Sequence, residues 1–278
     1  MTKQAYYKRM NHHHNKKMKQ DLVLRRVEEL RREQPVLGGR KLYHMLSSEF
    51  DRADLMGRDA FFRLLREQGL LVRKRHPKTV RTTHSWHHFH KYTNLWKGRR
   101  VSAGNLLWVS DITYIRKQEG GFMYLSLITD GYSRKIVGWN LSESLSLSGA
   151  LSALQMALSS EGDVRGLIHH SDRGIQYCSN AYTECLKQAG IRISMCETGD
   201  PRENSIAERI NGILKQEWIE REMIQSIEQA RSRLKHIIDI YNFSRPHMSI
   251  DMLTPQKAHL GQGVLKRRWK TYYKKKIE

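Results

Sequence analysis

The sequence predicts an α/β protein, a mixed five-stranded sheet flanked by helices and preceded by a small all-helical domain. Two observations carry that prediction. Between residues 105 and 260, short runs rich in β-branched and aromatic residues alternate with apolar runs at helical spacing. Between residues 21 and 75 only helical spacing is present. The chain has 278 residues, long for one module when domains commonly run ~100 to 200 residues. Its 39% hydrophobic content suffices for a buried core.

Residues 1–20 are lysine-rich without an apolar period, so a flexible basic arm is expected there. His12, His13 and His14 are adjacent and do not share a helix face, which argues against a metal role. A first helix is expected from Asp21, as cap, to Glu33, with Val23, Val27 and Leu30 inward; it stops before Pro35 and the Gly38-Gly39 break. A second runs from about Arg40 to Phe50 on Leu42, Met45 and Leu46. A third starts near Gly57, carries Ala60, Phe61, Leu64 and Leu65, and ends at Gly69. With the basic exit Val72-Arg73-Lys74-Arg75, residues 21–75 look like a helix-turn-helix-type DNA-binding domain in which Arg73, Lys74 and Arg75 meet DNA. A generic three-helix unit has the same spacing. Residues 76–104 read as a linker whose aromatics lie on the next domain. Its clustered His84, His87, His88 and His90 lack the partner pair that a zinc finger needs.

The core, residues 105–260, begins with strands at Leu106–Ile115, Phe122–Thr129 and Lys135–Leu141. Gly120-Gly121 and Asp130-Gly131 are tight turns between them, so the three form an antiparallel meander. An apolar helix, Ser146–Ser159, leads to a short buried strand at Gly166–His169. A helix from Ser179 to Gln188, a strand at Ile191–Met195 and a helix pair opening at Asp200-Pro201 and Ser226 follow. This is the element order of the ribonuclease-H-like fold. Residues 261–278 form a basic tail in which Lys266, Arg267, Arg268, Trp269, Lys270, Tyr272 and Tyr273 interleave cations with rings. Such a tail suits phosphate contact with base stacking, and a solvated basic helix equally.

Charge follows this division. Residues 1–100 hold 25 Lys/Arg against 9 Asp/Glu, residues 101–260 hold 17 against 18, and residues 261–278 hold 7 against 1. A neutral middle between basic ends fits a polyanion gripped at the ends, because cations at phosphates release condensed counterions. No apolar run approaches the ~18 residues that span a bilayer and no signal peptide opens the chain, so membrane partners are not expected. Cys178, Cys185 and Cys196 are odd in number and lack C-x-x-C spacing, which points to a reducing, cytoplasmic setting.

Three acids stand out inside the core. Asp111 lies mid-strand, where alternation places Val109, Thr113 and Ile115 on its face; an acid there must be paired, metal-bound or at an edge. Asp172 follows a short strand beside a glycine, where alternating sheet proteins place ligands, although a turn aspartate is an equal reading. For the third, Glu203, Glu208 and Glu217 compete. With Ile206 as zero and ~100° per residue, Ile213, Ile210, Leu214, Ala207 and Trp218 occupy an arc from about −20° to about 120°. Glu208 lies at about 200°, with Lys215 at about 180°, Asn204 at about 160° and Asn211 at about 140°. Glu203 is better placed as a first-turn acid facing the helix dipole. Glu217 falls inside the apolar arc without explanation. Asp111, Asp172 and Glu208 therefore make the candidate metal site, with 35 residues between the last two. Phosphodiester cutting and joining needs charge neutralised on attacking and leaving oxygens, which two divalent cations ~3.5 to 4 Å apart achieve.

At this point a resemblance becomes specific. The stretches Trp108–Tyr114, Asp130–Trp139, His170–Tyr177, Glu203–Glu208 and Tyr241–His247 resemble the integrase core of bacterial insertion-sequence transposases, insertion sequence family three, second-frame (OrfB) type, related to retroviral integrases. The resemblance covers roughly residues 20 to 260. It implies a DNA transposase that cleaves and joins element ends with Mg²⁺, or Mn²⁺ in its place, two ions per site. Asp111, Asp172 and Glu208 match the family's ligands. Lys215 matches a basic position near the DNA end, and His170, Asn204 and Gln176 match supporting motif positions; with Arg267 and Arg268 these are the expected DNA contacts. It further implies a first-frame partner or fusion, a homo-oligomer that synapses two ends, and association with the bacterial nucleoid. A catalytically idle DNA-binding regulator and a ribonuclease-H-type nuclease are the alternative readings.

Overall fold

Helical spacing in the first part of the chain becomes three helices, but the first begins much earlier than expected. The computed structural model describes residues 2–72, 87–97, 100–118, 120–197, 201–222 and 226–268. They divide into two units, Met1–Pro77 and Lys78–Glu278. In the first unit the expected flexible arm is corrected to the leading half of a 31-residue helix, α1 (Lys3–Glu33). Thr2 caps it by accepting from the Ala5 amide, and no Gly or Pro interrupts the run of good helix formers before Pro35. Asp21 is therefore mid-helix. The lack of an apolar period still shows, since α1 buries only Val23, Val27 and Leu30. These residues pack with Leu37, with Leu42 and Leu46 of α2 (Gly39–Glu49), and with Phe61 and Leu65 of α3 (Arg58–Glu67). Gly69 follows α3 with φ +67°, the left-handed conformation that glycine adopts freely.

The second unit is built on one sheet of strands β1 (Leu107–Arg116), β2 (Phe122–Asp130), β3 (Ile136–Ser142), β4 (Ile168–Ser171) and β5 (Arg192–Met195), in the order β3-β2-β1-β4-β5. The first three are antiparallel; β4 joins β1, and β5 joins β4, in parallel. The helices are α4 (Leu147–Glu161), α5 (Ile175–Cys178), α6 (Asn180–Gln188), α7 (Ser205–Glu217), α8 (Ile227–Phe243) and α9 (Pro255–His259). This is the mixed ribonuclease-H-like arrangement the element order predicts. Strand alternation sorts the two cores. Ile115, Met123, Leu125 and Leu127 face Ile210, Leu214, Leu234 and Ile238 of α7 and α8. Trp108, Ile128 and Val137 face Ala153, Leu154, Tyr182 and Leu186 of α4 and α6. At Gly138 the helix comes so near that a Cβ would land on the Ala153 carbonyl oxygen.

One helix boundary in this unit differs from expectation. Residues Pro201–Asn204 form a 3-10 turn and α7 starts only at Ser205, whereas α8 starts as expected behind Ser226, whose hydroxyl accepts from the Gln229 amide. The described part of the linker lies on the core as expected. Phe89 and Tyr92 pack on the α4/α6 side, and the Leu95 amide donates to Ser194 Oγ at 2.9 Å. The start of the tail also belongs to this unit: Gly263 donates to the Ser102 carbonyl, Asp251 to that of Lys266, and Arg268 to that of Met248. Arg73, Lys74, Arg75, His84, Trp86, Trp269, Lys270, Tyr272 and Tyr273 lie outside the described residues. Among the described residues no helix is long and apolar enough to cross a membrane.

Candidate active site

The three acids come from three different elements, and the fold brings them within one another's field. Asp111 is half-buried in β1; its Oδ1 accepts from the Ile112 amide at 2.9 Å and its Oδ2 from Asn211 Nδ2 at 2.7 Å. Burial raises its pKa to about 7, aided by the negative charges of Asp172 and Glu208 and opposed by the two hydrogen bonds. Asp172 follows the last residue of β4, with its Oδ1 accepting from the Gly174 amide at 3.0 Å. Glu208 is exposed in the first turn of α7, where the helix dipole favours an acid. Among the described residues no three His, Cys, Asp or Glu side chains stand close enough together to hold a metal ion as they are. The donor set nevertheless fits a hard divalent cation. Asp111 is driven toward neutrality by burial first and then by the negative charges of Asp172 and Glu208, a repulsion that a cation would relieve.

Around the acids, buried polar groups hold α7 to the sheet. Asn204 Nδ2 donates to the Ser110 carbonyl at 2.9 Å, one residue before Asp111. His170 places Nδ1 2.9 Å from Ser194 Oγ and Nε2 3.2 Å from the Glu203 carbonyl. Gln176 donates to the Leu145 carbonyl at 2.9 Å, tying α5 to the loop before α4. His170, Asn204 and Gln176, expected at DNA, are all buried and bonded to protein here. Behind them, His169 Nε2 lies 2.7 Å from Ser110 Oγ and 3.0 Å from the Tyr182 hydroxyl; burial presses its pKa to about 3, so it is neutral.

Lys215 lies two turns beyond Glu208 and is half-buried. Burial lowers its pKa, against the pull of Glu220 and Asp111, so its charge is within reach of the site. Arg268 is ion-paired with Asp251, which gives it a structural partner. Glu203 is not in the first turn of α7; it accepts from the Glu197 amide at 2.7 Å. Glu217 now has its explanation, a two-point ion pair at 2.8 and 2.6 Å with fully buried Arg245. The residue missed in the sequence is Asn211. Its angle had set it on the polar face of α7, but only the crossing of α7 over β1 shows that it reaches Asp111.

Two family models, both described as integrase core domain, match residues 102–201 and 189–255. The "Insertion element IS600 uncharacterized 31 kDa protein" of Shigella sonnei is 32% identical over 260 residues, 92% of this chain and 93% of that protein. "Transposase InsF for insertion sequence IS3A" of Escherichia coli (strain K12) is 37% identical over 158 residues, 56% of this chain and 54% of that protein. The match thus spans about half the length of that transposase. Among solved structures, the HTLV-2 integrase catalytic core domain in complex with magnesium (trimeric form) superposes with a TM-score of 0.45 at 18% identity, covering 58% of this chain and 99% of that one.

Proposed function

The chain belongs to the insertion-sequence transposases that carry an integrase core, and from that premise we propose that it cleaves DNA at element ends and joins the freed ends to a target. The observation that supports this reading is the placement of Asp111 in a central strand, its carboxylate held by Asn211 and the Ile112 amide and within the field of Asp172 and Glu208. Asp111, Asp172 and Glu208 would hold Mg²⁺, or Mn²⁺ in its place, two ions per site. When bound there, the metal neutralises charge on the attacking and leaving oxygens and lowers the pKa of water.

The chain's own part is positioning. Asn211 and the Ile112 amide fix the Asp111 carboxylate, and the Gly174 amide fixes that of Asp172. Asn204 sets the height of α7 on β1, and with it the height of Glu208. In this scheme water attacks the phosphodiester at an element end. The 3′ hydroxyl so released attacks a second phosphodiester, whose own P–O3′ bond breaks to leave a free 3′ hydroxyl on the target strand, and no enzyme residue bonds to phosphorus. Lys215 supplies a cation for the phosphates beside the acids. The DNA partners are element ends and target, synapsis of two ends requires a homo-oligomer, and recognition of the ends is shared with a first-frame protein or fusion partner.

Asp111→Asn tests this directly. The variant is expected to bind element-end DNA as the parent does and to lose nicking and joining in Mg²⁺ and Mn²⁺. Unchanged nicking would overturn the assignment. Release of fragments from an RNA:DNA hybrid, without joined products, would mark a ribonuclease-H-type nuclease.

A further inference from the structure

The β1–β2 hairpin carries an aromatic group that neither core absorbs. On one face of the sheet Tyr114 pairs with Tyr124, and Arg116 with Phe122. The Tyr114 ring meets Tyr124 at 5.0 Å and Phe122 at 5.7 Å, both edge-on, and the Arg116 guanidinium stands 5.6 Å above the Phe122 ring. Helix α4 covers this face up to the row of Tyr124: a Cβ at Gly149, in its first turn, would lie 2.6 Å from Oγ of Ser142, which pairs with Tyr124, and 3.6 Å from Oγ of Ser126 in the next row inward. Arg116 and Phe122, one row further out, thus lie beyond the helix that covers this face. Phe122 is 42% exposed, Arg116 is exposed and Tyr124 is half-buried.

The row lies on the face of β1 opposite to the one that carries Asp111, and close to Asp172. β4 pairs with β1 only at Leu107–Val109, so the outer half of β1 continues past the end of β4, where Asp172 stands. The charge of Asp172 adds to burial and Tyr124 in raising the Tyr114 pKa. Nearby Lys117 is paired with Glu143 at 2.6 Å, which leaves Arg116 as the cation above the rings.

We propose that Phe122 and Tyr124, backed by Tyr114 and flanked by Arg116, form a stacking platform for an unpaired base of the DNA strand next to the phosphodiester being cut. The proposal rests on the reading of the three acids as a DNA-cleaving site. A ring face with a guanidinium beside it suits a base joined to a phosphate, and stacking of this kind tolerates any base.

The test uses the full chain in EDTA, with two probes: a blunt 20-base-pair duplex, and the same duplex with a 3′ oligo(dT) overhang whose first unpaired position is 2-aminopurine. The overhang is expected to bind more tightly than the blunt duplex, with quenched fluorescence. Phe122→Leu with Tyr124→Leu should remove the quenching and weaken overhang binding about tenfold or more, leaving the blunt duplex unaffected. Tyr124→Phe, which keeps the ring, should behave as the parent and guards against a folding defect. Equal quenching and affinity in the double variant overturns the platform while leaving the DNA reading in place. Failure of the parent chain to bind either probe overturns both. A change in sedimentation of the DNA-free double variant, with overhang affinity retained, would make the face a contact between copies of the chain and overturn the proposal.

Discussion

His259 should make the stability of the second unit fall as the solution becomes alkaline. Its Nε2 lies 2.7 Å from Glu161 Oε2, and its Nδ1 lies 3.0 Å from Ser133 Oγ and 3.6 Å from Asp130 Oδ1. Burial disfavours the imidazolium, but the two carboxylates outweigh it and raise the pKa from 6.5 to about 9. Glu161, which burial would raise, is held at about 2 by His259, Lys135 and Asn105. A raised histidine pKa contributes stability that is complete below the unfolded value of 6.5 and is lost as pH rises through about 9. The Glu161 contribution is lost only as pH falls below 4.5 toward 2, outside this window. At 1.36 kcal/mol per pKa unit, the His259 shift corresponds to about 3 kcal/mol. All six tryptophans lie after residue 85, so their fluorescence reports the second unit even in the intact chain. Urea unfolding at pH 6 and pH 10 should show the parent losing about 3 kcal/mol more than His259→Gln does. Parallel losses in the two proteins would refute the assignment of the charge to His259.

Three further outcomes follow from particular contacts. Glu217→Ala leaves the Arg245 guanidinium buried without its carboxylate and should cost roughly 3 to 5 kcal/mol in the same unfolding assay; replacing both residues by apolar ones of similar volume should recover much of the loss. Gly138→Ala drives a Cβ into the Ala153 carbonyl and to 2.9 Å from Ala157 Cβ, both on α4, so a loss of about 3 kcal/mol is expected; a normal unfolding midpoint would mean that α4 can move aside. Asn211→Ala removes a hydrogen bond to a carboxylate worth roughly 1.5 to 3 kcal/mol. Strand transfer should fall about tenfold to a hundredfold while DNA affinity stays within about twofold, and an unchanged rate would remove Asn211 from the positioning of Asp111.

What was legible in the sequence was periodicity, and periodicity identifies faces. Val109, Asp111, Thr113 and Ile115 alternate as a strand, and their face is the one α7 and α8 cover. Where exposure removes the period, the reading failed: residues 3–20 are helical because nothing breaks the helix, and no apolar stripe announces it. Long-range polar pairing was equally hidden, since Glu217 meets Arg245 28 residues away and His259 meets Glu161 98 residues away. The polar face of α7 shows the limit most clearly. Helix angles put Asn204, Glu208, Asn211 and Lys215 together, yet the structure separates them by depth: the two asparagines are buried, Lys215 is half-buried and Glu208 is exposed. Angle is a property of the helix alone, whereas depth is decided by the partner it crosses, here β1 at Ser110 and Asp111. The neutral amides lie where α7 crosses that strand and burial is greatest. The ionised side chains stay where solvent, or a bound cation and a phosphate, can meet their charge.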